Sequence, residues 1–480
     1  MAQSEGVKTK HPEYTRSKDT WRMCRDAAAG EKAVHAGGEL YLPKLRSEKA
    51  EDYLARLKRT PFFNATWRTV VGLSGMMFRK PPTVVVPAGV DAYLRDVDMA
   101  GSDFAQFAQA LSFDALVVGR VGVLVDHPAT PDVGRVTISQ AERLGLRPTM
   151  HIYPAESIIN WKTERIGNAV ALSMVVLTED AALAGETEFD HATEMRYRVL
   201  DLGADGNYRQ RLYRINDNGK EEQVGVDTIP LMNGKPMRYI PFVFIGVDSV
   251  GPKVEIPPLV DLITLNLHHY QVSADYAHGC HISGLPTLFV SGYHPDPTSP
   301  PIYLGGSSAN CLPDPSAKAY YVETQGNFGA LRTNLEDKKA EMAILGSRML
   351  EAQKRQAETV DAIAQHRKGE ESLLANMAQT LSAGIQIALE WFTAWAGKAG
   401  PVEYDVNRDF VPARMTPQDL TAMLAAWQAG MPGYSSEEVF ARLESRDEIS
   451  KGITFEEEQA RISNEAPRLA QSPPPPATAP

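Results

Sequence analysis

The sequence predicts an α+β fold, mainly helical. Three observations point there. Several long segments carry apolar residues at 3–4 spacing between capping and stop residues, as amphipathic helices do. A middle stretch, residues 150–250, changes to short β-branched and aromatic runs separated by turn signals. The length of 480 residues is enough for two to four domain-sized units, and 43% hydrophobic with 23% charged residues is an ordinary globular balance.

Residues 1–60 are polar and mildly basic at their start (Lys8, Lys10, Arg16, Lys18, Arg22, Arg25), so an arm with short helices is expected. "FFNATWRTVVGLSGMMFRKPP" reads as a helix: Asn64 is the cap, Trp67, Val70, Val71, Ser74 and Met77 recur at helical spacing, and Pro81-Pro82 stop it. "GSDFAQFAQALSFDALVVGR" is a second helix with Ser102 as its expected cap, leading into the strand "VGVLVDHP". Further on, "AVALSMVVLTE", "MRYRVLDLG", "YRQRLYRIN" and "RYIPFVFIGV" are strand-like, with "GADGN" and "NDNGK" as hairpin turns.

"PPLVDLITLNLHHYQVSADYAHGCHISGLP" predicts a helix of roughly 25 residues, about 37 Å long at 1.5 Å per residue. Leu262, Leu265, His269, Val272 and Tyr276 form one stripe; Ile263, Leu267, Tyr270, Ala274 and Ala277 form a second. Two adjacent stripes imply a helix packed on two sides. A Pro, Gly and Ser-rich stretch and the strand "AKAYYVET" follow, then another helix opening near Gly329. Residues 351–369 are mostly polar. A long helix over 370–396 puts Leu374, Met377, Leu381, Ile385, Leu389, Phe392 and Trp395 on one face. Gly384 in its middle costs about 1 kcal/mol relative to Ala, and a bend there would account for it. Thr416 as cap, Pro417 and Gly430 punctuate the next helix; "SSEEVFARLES" and "TFEEEQARISNEAP" are shorter ones, and residues 466–480 form a Pro-rich tail expected to be disordered.

Composition narrows the function. A formal net charge of −11 argues against tight electrostatic grip on a duplex, which a basic patch and a high pI would provide. It suits a surface past which DNA slides, because each phosphate contact adds affinity and hence friction. No run of about 20 apolar residues is present, so no membrane span is expected. The opening residues lack the apolar core of a secretory signal. Cys24, Cys280 and Cys311 form no CxxC pair, and reduced thiols in a cytosol-like compartment are expected.

Catalytic patterns are weak. "LNLHHYQVSADYAHGCHIS" gathers His268, His269, His278, His281 and Cys280. Adjacent His268 and His269 point about 100° apart on a helix and cannot chelate together. Only Asp275, His278 and His281 share a face at chelating spacing, and no HExxH or second Cys/His pair completes a tetrahedral site. No P-loop and no GxSxG elbow occur, and the glycines of "GRVGVLVDHP" enter a strand instead of opening a helix. The sequence therefore points to no enzyme, no cofactor and no metal.

A series of segments carries a family resemblance: "HPEYTRSKDTWRMCRDAAAGEKAV", "FFNATWRTVVGLSGMMFRKPP", "GRVGVLVDHP", "YPAESIINWK", "IPPLVDLITLNLHHYQVSADYAHGCHISGLPTLFVSG", "YVETQGNFGAL" and "EMAILGSRML". In this order, over roughly residues 10–465, they resemble a branch of the tailed-bacteriophage portal proteins. The resemblance implies a twelve-subunit ring at one capsid vertex, with wing, stem, clip and crown regions. It implies double-stranded DNA in the channel, passing in at packaging and out at ejection. The implied partners are the terminase large subunit, a head-to-tail adaptor, and the major capsid and scaffolding proteins. The implied location is the virion, after assembly in the host cytoplasm. Mapped onto this chain, 61–190 would be wing and 191–250 a strand-rich clip and stem approach. Residues 251–285 would be a stem helix, with Leu262, Leu265, His269, Val272 and Tyr276 at subunit contacts. Residues 286–400 would return to the wing through a tunnel loop at about 351–366 and the kinked helix 370–396, and 401–465 would be the crown. Gln353, Lys354, Arg355 and Gln356, with His366, Arg367 and Lys368, would face DNA. The alternatives are another head-completion or connector protein of the virion, or a metal-dependent hydrolase using the Asp275, His278 and His281 cluster.

Overall fold

The computed structural model describes residues 6–128, 143, 145–183, 189–284, 287–291, 316, 318–322, 328–348, 372–408, 410, 417–445, 449 and 453–469. The chain divides into two compact units, Met1–Arg408 and Asp409–Pro480. Helices and sheets both occur, as an α+β fold requires.

The larger unit opens with α1 (Pro12–Ala29), α2 (Glu31–Gly37), α3 (Ala50–Arg59) and α4 (Ala65–Met77). The expected arm is thus a helical layer of the body. Trp21, Cys24 and Ala27 on α1 are wholly buried, and Arg25 on the same helix bonds Asp114 and Glu156. Charged residues mask the apolar stripe of α1 in the sequence. The Asn64 cap is present: its side chain accepts from Trp67 N at 2.8 Å. Then come β1 (Thr83–Val85), α5 (Asp91–Leu94) and α6 (Phe104–Val118). The cap of α6 is Asp103, one residue past the expected Ser102. Asp103 accepts from Gln106 N, and Gln106 accepts in return from Asp103 N, a complete capping box.

Two sheets form the middle. One is antiparallel, ordered β11-β2-β3, from β2 (Arg120–Asp126), β3 (Thr149–Pro154) and β11 (Phe242–Gly246). The first six residues of β2 are buried, as befits a central strand covered on both faces. The other is a five-stranded meander of β4 (Ile158–Ile166), β5 (Ala169–Ala182), β6 (Thr193–Leu202), β7 (Tyr208–Ile215) and β8 (Glu221–Thr228). Its turns fall at the expected "GADGN" and "NDNGK". The boundary expected at residue 190 runs through this sheet, because β5 and β6 pair across it from Met174↔Asp201 to Ala182↔Thr193. Within the expected 191–250 region, a small hairpin of β9 (Leu231–Met232) and β10 (Lys235–Pro236) precedes β11, which joins the other sheet.

A polar chain clamps the two sheets together. Gln210 on β7 donates to Asp126 on β2 at 2.9 Å and accepts from Arg198 on β6 at 2.8 Å. Arg198 continues to Glu179 on β5, which also accepts from Tyr153 on β3. Each member has a partner, the condition under which a buried polar network rigidifies a core.

Then follow α7 (Val260–Gly284), β12 (Thr287–Ser291), β13 (Lys318–Val322), α8 (Gly329–Arg348), α9 (Leu373–Trp395) and β14 (Glu403–Asp405), the last paired with β1. Helix α9 is continuous, and Ser372 caps it by accepting from Ala375 N. Gly384 has a packing reason. A Cβ there would sit 2.4 Å from Ile245 Cγ1, so the glycine lets α9 press onto β11. The smaller unit holds α10 (Pro417–Gln428), α11 (Ser436–Ser445) and α12 (Phe455–Leu469). Trp427 donates to Ser436 Oγ at 3.1 Å, Phe440 meets Phe455 edge-on, and Thr454 with Glu457 makes a second capping box. The expected cap Thr416 and the tail from residue 470 lie outside the described residues.

Candidate functional site

The histidine-rich segment is α7, a 25-residue helix as its two stripes predict. It runs against α1, α3, α4 and α8. Both expected stripes are engaged. Ile263, Leu267, Tyr270 and Ala274 are buried, and so are Leu262 and His269 of the other stripe. Leu262 and His269 are covered by this chain's own elements. Leu265, Val272 and Tyr276 are half-buried.

One polar residue fixes the register of α7. Asn266 is wholly buried between the stripes. Its Oδ1 accepts from Thr66 N at 3.1 Å and Thr66 Oγ1 at 2.9 Å, and its Nδ2 donates to the Phe63 carbonyl at 2.8 Å. Those partners form the first turn of α4, where backbone N–H groups need external acceptors. Lower on the helix, Gln271 donates to the Tyr41 carbonyl at 2.9 Å.

Helices α7 and α8 form an antiparallel hairpin. Gly346 near the end of α8 lies beside Leu262 near the start of α7. Phe328, just ahead of α8, packs edge-on to Tyr276 and against Gly279, where a Cβ would come within 2.3 Å of its ring. Met342 is the buried contact of α8. At the turn of the hairpin, β12 and β13 pair antiparallel from Thr287↔Val322 to Ser291↔Lys318. Exposure rises along α7: residues 262–274 are mostly buried, while Cys280, His281 and Ile282 are exposed.

The histidines disperse as the helical geometry requires. His268 is exposed beside a cleft of about 460 Å³ shared with Asp19, Arg22 and Tyr41. His278 is half-buried and His281 exposed. Among the described residues no three His, Cys, Asp or Glu side chains are placed to hold a metal ion, so Asp275, His278 and His281 do not form the metal site of the hydrolase alternative.

His269 is the perturbed member. It lies 5.7 Å from the Phe63 ring, and neither ring nitrogen has a partner. Burial first, and then the Lys339 and Lys338 ammonium groups, lower its pKa from 6.5 to about 4. The unfolded chain takes up this proton near 6.5 and the folded chain only near 4. Stability from this residue is therefore complete above 6.5 and is lost as pH falls towards 4. The stability gap between wild type and His269→Leu is expected to shift against the wild type between pH 7 and pH 4.5 in thermal unfolding. Parallel melting curves across that range would remove His269 as the acid-sensitive group.

Sequence reasoning missed a buried ion pair beside this helix. Arg56 on α3 and Glu48 are 2% and 5% exposed, a level that makes an unpaired charge untenable. Arg56 Nε and Nη2 donate to the two oxygens of Glu48 at 2.8 and 2.9 Å, and Nη2 also donates to the Pro43 carbonyl. The guanidinium holds the Glu48 carboxyl below the ordinary carboxylate range. Spacing gave no signal for this pair, since the two residues stand eight apart across a loop and a helix.

The expected DNA-facing residues Gln353, Lys354, Arg355, Gln356, His366, Arg367 and Lys368 lie outside the described residues. No helix is long and apolar enough to cross a membrane.

Residues 258–396, less than a third of the chain, match a family model described as a domain of unknown function (DUF4055). No curated protein matches the chain. Among solved structures the chain is similar to one from the neck of a native GTA particle computed with C12 symmetry. The identity is 13% and the TM-score 0.36, covering 85% of this chain and 98% of that one. It is also similar to a chain from the virion of a native gene transfer agent (GTA) particle, at 13% identity and TM-score 0.38, covering 87% and 99%. The neighbours are thus chains of gene transfer agent particles, at a low level of superposition.

Proposed function

We propose that this chain is a ring-forming connector of the portal type, which lines a channel for double-stranded DNA at one vertex of a capsid. The observation that carries the reading is the α7–α8 hairpin. It is held at its base by Asn266, ends in the β12–β13 ribbon, and leaves half-buried stripe residues for neighbours. Around it, the segments that resemble portal proteins follow one another in that family's order.

In this reading α7 and α8 are the stem. The clip is the ribbon at the hairpin turn, not the 191–250 region expected from sequence, whose strands belong to the meander and the central sheet. The polar residues 351–366 join α8 to α9, where a tunnel loop is required. Acidic subunits keep DNA contact weak, so that the duplex slides. Catalysis has no part in the mechanism. The ring would dock the terminase large subunit, which supplies the motor, and later the tail adaptor, within a shell of major capsid and scaffolding proteins.

Electron microscopy of the purified protein is expected to show rings with a central hole wide enough for a DNA duplex. Monomers alone, even on coexpression with capsid and scaffolding proteins, would remove the reading. Rings carrying Lys354→Ala and Arg355→Ala are expected to assemble but to package or retain less DNA. Normal packaging and retention would remove the loop residues from the channel.

A further inference from the structure

Helix α8 has two unlike flanks. Lys339 stands two residues after Asp337 and two before Glu341. At about 100° per residue, both carboxylates sit roughly 160° around the axis from it. The Lys339 flank adjoins α4. There the Lys339 ammonium lies 5.1 Å and the Arg68 guanidinium 5.2 Å from the centroid of the same Phe63 ring. Both cations are exposed, and the Phe63 ring they share is half-buried. On the opposite flank Asp337 and Glu341 are exposed around Ile344, itself 51% exposed.

Among the described residues none of these four charges is in an ion pair. Among the described residues the ion pair on α8 is Arg332 with Glu336, on a different pair of positions. Two cations crowd one aromatic ring without a carboxylate between them, in a chain whose net charge is −11. A like-charged pair so placed is relieved by an anion from outside.

We propose that the acidic flank of α8 in one copy, Asp337 and Glu341 around Ile344, docks on the basic flank of the next copy, Arg68 and Lys339 around Phe63. The occupant is a second copy of this chain, because both complementary surfaces lie on opposite sides of one helix. Such a contact is heterologous and repeats head to tail, and it closes when the rotation between copies divides a full turn. Each flank sets an apolar residue, Ile344 or Phe63, amid charges of one sign, so burial would give affinity and charge would give register. This contact rests on the ring-forming reading above and adds to it the surfaces that meet.

The test uses two full-length variants, Asp337→Lys/Glu341→Lys and Arg68→Glu/Lys339→Glu, followed by mass photometry. Each variant alone is expected to lose assembly by at least about tenfold, as like charges then face each other. Thermal unfolding of Asp337→Lys/Glu341→Lys should be unchanged, while Arg68→Glu/Lys339→Glu gives up two cation contacts with Phe63 and should stay folded with a slightly lower midpoint. An equal mixture is expected to recover rings with an even number of subunits, because the two variants complement each other in alternation. Normal assembly of either variant alone would overturn the contact, as would failure of the folded mixture to recover. Duplex binding lost in Arg68→Glu/Lys339→Glu with assembly intact would overturn it too, and would give the basic flank to nucleic acid. A wild type that never forms rings fails the ring reading itself, whereas rings indifferent to these substitutions fail the contact alone.

Discussion

Glu48→Leu is expected to destabilise the larger unit by about 4 kcal/mol, the cost of leaving one charge of a buried pair uncompensated. Arg56 would keep its bond to the Pro43 carbonyl but lose two charge-assisted bonds in a nearly water-free site. The Leu45 N–H would lose its acceptor as well. The denaturant midpoint of the larger unit, with its slope checked for constancy, reads this directly. The double variant Glu48→Leu/Arg56→Met should be more stable than Glu48→Leu, because an apolar pair leaves no orphan charge. A loss below about 1 kcal/mol would place the pair with ordinary surface bridges.

Asn266→Leu is expected to cost about 3 kcal/mol although the side chains are close in size. The substitution gains apolar area but strands the Thr66 N–H, the Thr66 hydroxyl and the Phe63 carbonyl in a place water does not reach. The same denaturation measurement reads it, and Asn266→Asp is expected to cost at least as much near neutral pH, since it sets an unpaired carboxylate against the Phe63 carbonyl in a wholly buried place. If Asn266→Leu were neutral, α7 would owe its register to apolar packing alone.

Neither Asn266 nor the Glu48–Arg56 pair was legible in the sequence, although the helix that carries Asn266 was. Helix α7 could be read from its stripes, because Leu262, Leu267, Tyr270 and Ala274 repeat at the helical period and are buried. The role of Asn266 within it could not. Its partners Phe63 and Thr66 stand 203 and 200 residues away, and no local pattern reports such a distance. Glu48 and Arg56 sit in a charged stretch that composition assigns to solvent, so the pair was hidden by the usual behaviour of charge. The α6 cap was legible to one residue. Ser102 and Asp103 are both capping types, and the Gln106 three positions past Asp103 separates them. Gly384 was legible as unusual but not as to cause, since a bend and a close contact with Ile245 leave the same mark in a sequence. At the level of architecture, turn signals gave the hairpins of the meander. They did not say that β11 leaves that neighbourhood to pair with β2.

The polar chain from Asp126 through Gln210 and Arg198 to Glu179 and Tyr153 stiffens the body, and the α7–α8 hairpin ends in the β12–β13 ribbon. The chain leaves through Ser291 and comes back at Lys318, which are cross-strand partners. A segment that begins and ends at one place pays little closure entropy for added length, about 0.6 kcal/mol per doubling. That ribbon is a graft point. A longer or different segment inserted there would leave the helices below it in register, so one body can carry interchangeable ends.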